Sequence, residues 1–155
     1  GKSTLLKILS GDVTPTQGGV FFHGESLRAV RGLAKRRAVL PQSSSLPFAF
    51  TAWEVVLLGR SPHGDAGRKF EEAREMMRRT DCLDLAERTV DTLSGGELQR
   101  VHLARVLLQL VGTPAVETCL LLDEPTSSLD PLHQHCILSV ARDSAEAGAC
   151  VAVVL

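Results

Sequence analysis

Apolar residues recur at helical spacing over Lys2–Leu9, with Leu5, Leu6, Ile8 and Leu9 forming one stripe and Gly11 standing where helices commonly end. The pattern predicts a short buried helix. After the turn-rich Thr14–Gly19, the segments Gly19–His23 and Arg37–Leu40 read as short strands, amid the basic residues Arg28, Arg31, Lys35, Arg36 and Arg37. A small sheet with solvated edges is expected there. From Thr51 the spacing turns helical through TAWEVVLLGR, breaks at Ser61-Pro62-His63-Gly64, and resumes in the charged amphipathic run Phe70–Arg79. Beyond Gly95-Gly96, Leu98–Val111 is strongly apolar at helical spacing. The strand CLLLD (Cys119–Asp123), a helix over Pro131–Ala147 and the strand ACVAVVL follow. Strand, helix, strand implies a parallel α/β core.

Composition narrows the classes. The 155 residues carry 17 basic against 18 acidic side chains, so no nucleic-acid footprint is present and no nucleic-acid partner is expected. With 44% hydrophobic and 23% charged residues, disorder and fibrous classes are excluded. The apolar runs fall well short of the ~20 residues that span a bilayer. Cys82, Cys119, Cys136 and Cys150 form no C-x-x-C pair and read as core fillers in a reducing cytosol. His133 and His135, two apart on a helix, face different sides and make no metal site; His102 reads as a packing or surface residue, and His23 and His63 fall at a strand end and a turn. The chain opens directly into GKSTLLKIL and stops within the apolar CVAVVL, which reads as a segment of a longer protein truncated at both ends.

Three motifs carry chemistry. Gly1-Lys2-Ser3-Thr4 matches the end of the phosphate loop G-x-x-x-x-G-K-[ST], in which backbone N–H groups hold phosphates, Lys2 reaches the β- and γ-phosphates and Ser3 binds Mg²⁺. A surface lysine at a helix start would explain the same four residues alone. Leu120–Asp123 followed by Glu124 places two carboxylates at the carboxyl end of a buried strand, where α/β sheets bind ligands. Asp123 suits a Mg²⁺ shell, and Glu124 suits a base that polarises the water attacking a γ-phosphate. Ser94-Gly95-Gly96-Glu97 reads as a capping box, yet a cap does not require two glycines. They make sense where a phosphate approaches backbone N–H groups closely.

In this order GKST, LSGGE, LLLDEP and SSLD resemble the ATP-binding subunits of ABC transporters, over essentially the whole chain. The resemblance implies an α/β P-loop NTPase of ABC-ATPase type: a RecA-like core (residues 1–17 and 99–155), an antiparallel β subdomain (18–41) and a helical subdomain (43–98). It implies ATP and Mg²⁺ as cofactors. Gly1, Lys2, Ser3 and Thr4 would hold phosphates, and Ser3, Gln42 and Asp123 would hold Mg²⁺. Gln42 and Glu124 would act in catalysis. Ser94, Gly95 and Gly96 would face the ATP of a second, head-to-tail ATPase subunit, with Asp130 in the loop Ser127–Asp130 that crosses between subunits. Permease subunits, docked on Ser43–Arg60, and indirectly a periplasmic or extracellular substrate-binding protein are the further partners, at the cytoplasmic face of the membrane.

The stretch Arg36–His63 and the long link Val111–Glu117 are most similar to haem importers, beside the ferric-siderophore and cobalamin importers. Trp53 and Ala52 depart from that pattern. Hydrolysis is expected of the full-length parent and little of these residues alone, since half of the phosphate nest would precede Gly1. A non-transport ABC ATPase and an inactive truncated remnant are the competing readings.

Overall fold

The computed structural model describes residues 1–42, 49–64, 69–127 and 129–155. Its centre is the strand β4 (Cys119–Asp123), buried at every position because it lies between two parallel neighbours and is covered on both faces. β3 (Arg37–Leu40) pairs with one edge and β5 (Cys150–Val154) with the other, giving the order β3-β4-β5. The period of two divides the side chains. Leu120 and Leu122 join Ala38 and Leu40 in the main core, while Cys119 and Leu121 pack with Leu6 of α1 (Lys2–Leu9) on the opposite face.

Here one expectation is corrected. Arg37–Leu40 does not share a small solvated sheet with Phe21. The antiparallel pair consists of β1 (Phe21–Phe22) and β2 (Glu25–Ser26) alone, while β3 runs parallel to β4 in the core. The arginines that made β3 look exposed lie before it and at its first position; its Ala38 and Leu40 are fully buried. Arg36, in the short helix α2 (Leu33–Arg36), lies over the Phe22 ring and pairs with Glu117 at 2.5 Å, so its charge stays at the rim.

The main core is closed by helices. α5 (Gly95–Leu110) packs on α3 (Ala52–Leu57), α4 (Lys69–Arg79) and β3, and α6 (Pro131–Glu146) crosses back to β5. Trp53, half-buried against this core, stacks on Phe70 with ring centroids 6.1 Å apart. The cysteines split: Cys82 and Cys119 fill core as expected, but Cys136 is half-buried and Cys150 exposed on β5.

Two features of α5 have measurable consequences. Gly59, in the 3₁₀ segment Leu58–His63, sits so close to α5 that a Cβ there would overlap the Arg105 carbonyl oxygen. Gly59→Ala should therefore destabilise the protein by about 1–3 kcal/mol, as overpacking does, read as a shift in the urea midpoint. His102 is 3% exposed, and burial first, then the Arg105 charge, pushes its imidazole down to about 4. The folded state thus resists a proton that the unfolded chain accepts near pH ~6.5, so this stability is present above that pH and lost as pH falls toward about 4. His102→Leu should remove up to about 3 kcal/mol of the acid sensitivity of unfolding between those limits.

Candidate functional site

All three parallel strands deliver their carboxyl ends to the N-terminus of α1, as the order of an α/β sheet requires. Three hydrogen bonds gather the expected residues. Ser3 Oγ donates to Asp123 Oδ1 at 3.2 Å, Gln42 Nε2 donates to Glu124 Oε2 at 2.7 Å, and Lys2 Nζ donates to the Leu155 carbonyl at 2.5 Å. Asp123 is buried and Ser3 half-buried, whereas Lys2 and Gln42 are exposed. The site is one rim with a buried floor.

Glu124 has φ 46°, the left-handed region that a non-glycine residue occupies only at a cost. Its N–H donates to the Val154 carbonyl at 2.9 Å, and its own carbonyl accepts from Ser127 Oγ at 3.1 Å. The chain thus turns sharply off β4, and the Glu124 side chain meets Gln42 beyond the end of β3. Gly1 caps α1, with Thr4 in the first turn of the same helix. Both residues are exposed at the same helix start.

The oxygen set fits magnesium carried in by a nucleotide. Ser3 Oγ and Asp123 Oδ1 are hard donors, too few to hold the ion without waters and phosphate oxygens, which suits Mg²⁺. Among the described residues no cluster of three or more His, Cys, Asp or Glu offers a separate metal site.

The second group of expected residues lies elsewhere. Ser94, Gly95, Gly96, Glu97, Arg100, Leu129, Asp130 and His133 line a cleft of about 540 Å³. The capping box is formed: Ser94 N–H donates to Glu97 Oε2 at 2.7 Å, and Glu97 N–H donates to Ser94 Oγ at 3.3 Å. The Ser94 backbone N–H is the main reason that the Glu97 carboxyl lies below the usual carboxylate range. Asp130 caps α6 by accepting from the N–H groups of Leu132 and His133 at 3.0 and 3.1 Å. The His133 N–H, then its ring, hold the Asp130 carboxyl low. Among the described residues no hydrogen bond joins this cleft to the Lys2 rim. The cleft and the rim are thus two separate groups of residues.

Pattern reading missed Asp81 and Arg100, which adjoin the cleft, and set His133 aside as a residue without a site role. Nothing in the spacing links Asp81, just after α4, to α6. Ser128 and the Ser43–Phe48 part of the expected docking surface lie outside the described residues.

A helix N-terminus facing the carboxyl ends of parallel strands, with lysine, serine and paired carboxylates at the rim, is the arrangement of a nucleotide-binding P-loop fold. The chain belongs to the ABC transporter family, whose sequence profile matches residues 1–127. It is 52% identical to the hemin import ATP-binding protein HmuV of Gloeobacter violaceus, over 100% of this chain and 58% of that protein. Its identity to the HmuV of Pseudomonas aeruginosa is 50%, over 100% of this chain and 62% of the relative. The chain thus spans about three-fifths of the length of these curated relatives. Among solved structures, the ATP-binding cassette MJ0796 in a post-hydrolysis dimer bound to ADP and Pi superposes with TM-score 0.81 at 25% identity, covering 99% of this chain and 69% of that one. An inward-facing ABC transporter described as of metal-chelate type superposes with TM-score 0.74 at 31% identity, covering 99% of this chain and 57% of that one.

Proposed function

We propose that the chain is the nucleotide-hydrolysing part of an ATPase subunit that energises a membrane importer for haem. The observation that carries this reading is the convergence of Lys2, Ser3, Gln42, Asp123 and Glu124 on one rim, through the three bonds described above. The likeness to hemin import proteins supports the cargo.

Lys2 exchanges the Leu155 carbonyl for β- and γ-phosphate oxygens, while Gly1 and Thr4 at the same helix start hold the phosphates through backbone N–H and hydroxyl groups. Ser3, Asp123 and Gln42 would hold Mg²⁺, which when bound supplies positive charge to offset that on the transferring phosphoryl group. Glu124 accepts a proton from the attacking water as that water bonds to the γ-phosphorus and the bond to ADP breaks, giving ADP and phosphate. Gln42 fixes one Glu124 oxygen, so that the other faces the water. The separate Ser94–Asp130 cleft serves the nucleotide held by a second subunit, arranged head to tail. Each closed pair then holds two ATP molecules, and loss of the γ-phosphate contacts lets the pair open.

Among the described residues no helix is long and apolar enough to cross a membrane. The subunit works peripherally on the cytoplasmic face and drives permease subunits, which receive cargo from a periplasmic or extracellular binding protein. Haem does not touch this chain. The permease docks on the stretch Ser43–Arg60. The test is ATP hydrolysis by the complete protein, with and without the neighbouring permease in liposomes. Stimulation by the permease is expected. Hydrolysis indifferent to it would favour a soluble ABC ATPase, and none at all an inactive remnant.

A further inference from the structure

The two turns that line the cleft, one capped by Ser94 and the other by Asp130, are tied together by a chain of polar side chains running through the end of α4. On the first turn of α6, His133 presents Nδ1 to Asp130 Oδ2 at 2.6 Å and Nε2 to Asp81 Oδ2 at 3.4 Å. Asp81 is in turn held from α5: Arg100 Nη1 donates to its backbone carbonyl and lies 3.2 Å from its carboxylate. Arg100 is 9% exposed, so its charge is withdrawn from water and has Asp81 as its carboxylate partner. Asp81 adopts φ 52°, a left-handed conformation that aspartate tolerates better than most residues and that closes the turn after α4. Three helices thus meet at one carboxylate.

We propose that His133 is a positioning residue that fixes the Asp130 turn against the Ser94 turn by bridging Asp130 to the Asp81–Arg100 pair. It acts through Asp130 and touches no phosphate. The bridge sets how the cleft is presented to the nucleotide of the second subunit, because Asp130 and Ser94 stand on different helices, α6 and α5, with no direct bond between them among the described residues. This inference rests on the two-subunit ATPase reading above.

Side-chain geometry supplies the test. Asparagine places its amide nitrogen where His133 has Nδ1, and glutamine where it has Nε2, so each keeps one arm of the bridge and gives up the other. In the complete protein His133→Ala should lower kcat for ATP hydrolysis about tenfold with little change in KM, since the chain's own phosphate rim is untouched. His133→Asn and His133→Gln should each recover part of the loss. Asp81→Ala should resemble His133→Ala, and the double variant should be no worse than either alone, the signature of residues acting as one unit. Additive losses, a change confined to KM, or wild-type rates in His133→Ala would overturn the proposal while leaving the ATPase reading intact. A complete protein that hydrolyses no ATP would instead sink the ATPase reading, and this inference with it.

Discussion

Glu124→Gln should reduce ATP hydrolysis by the complete protein about 10²–10⁴-fold in kcat while leaving ATP binding in place, because the amide keeps the shape of the side chain but cannot take the water's proton. The geometry makes the substitution clean. Glutamine still offers an oxygen to Gln42 Nε2, and the left-handed backbone at residue 124 is set by the Val154 and Ser127 bonds rather than by the carboxylate. With the γ-phosphate retained, the variant should also accumulate as a dimer in ATP, which a sizing column reads directly. Hydrolysis within a few-fold of wild type would show that Glu124 merely ends β4.

Lys2→Ala is the second large effect. Lys2 is exposed, and the hydrogen bond it makes to the Leu155 carbonyl contributes little to stability at that degree of exposure. Folding should therefore survive the change. ATP affinity should not: a charged hydrogen bond to phosphate contributes about 1.5–3 kcal/mol, which is on the order of 10- to 100-fold in Kd. Titration with a fluorescent ATP analogue measures it. Unchanged affinity with an unchanged melting temperature would return Lys2 to the role of a surface lysine at a helix start.

Much of this site was legible because its chemistry is written in contiguous motifs. A short apolar run ending in two acids reads as a buried strand with carboxylates at its carboxyl end, and β4 is that strand. Ser94 and Glu97 stand at capping-box spacing, and the box is formed. The placement of β3 was not legible, because arginines before and at its start mask a segment of four residues whose Ala38 and Leu40 are buried. The exposure of Cys150 was hidden for the converse reason: an apolar run marks a strand without saying which end emerges from the core. The Asp81–His133–Asp130 bridge depends on a left-handed turn and on how three helices meet, neither of which has a local signature. Gly59 is similar, since only the approach of the Arg105 backbone reveals why a side chain is excluded.

The central claim is that hydrolysis at the Lys2–Glu124 rim drives haem across a membrane. Its most direct test is haem accumulation in liposomes that contain the neighbouring permease and the complete protein, with its binding protein and haem on one side and ATP on the other. Uptake that requires ATP and disappears with Glu124→Gln is the predicted result. Vigorous ATP hydrolysis with no ATP-dependent haem uptake would contradict the account.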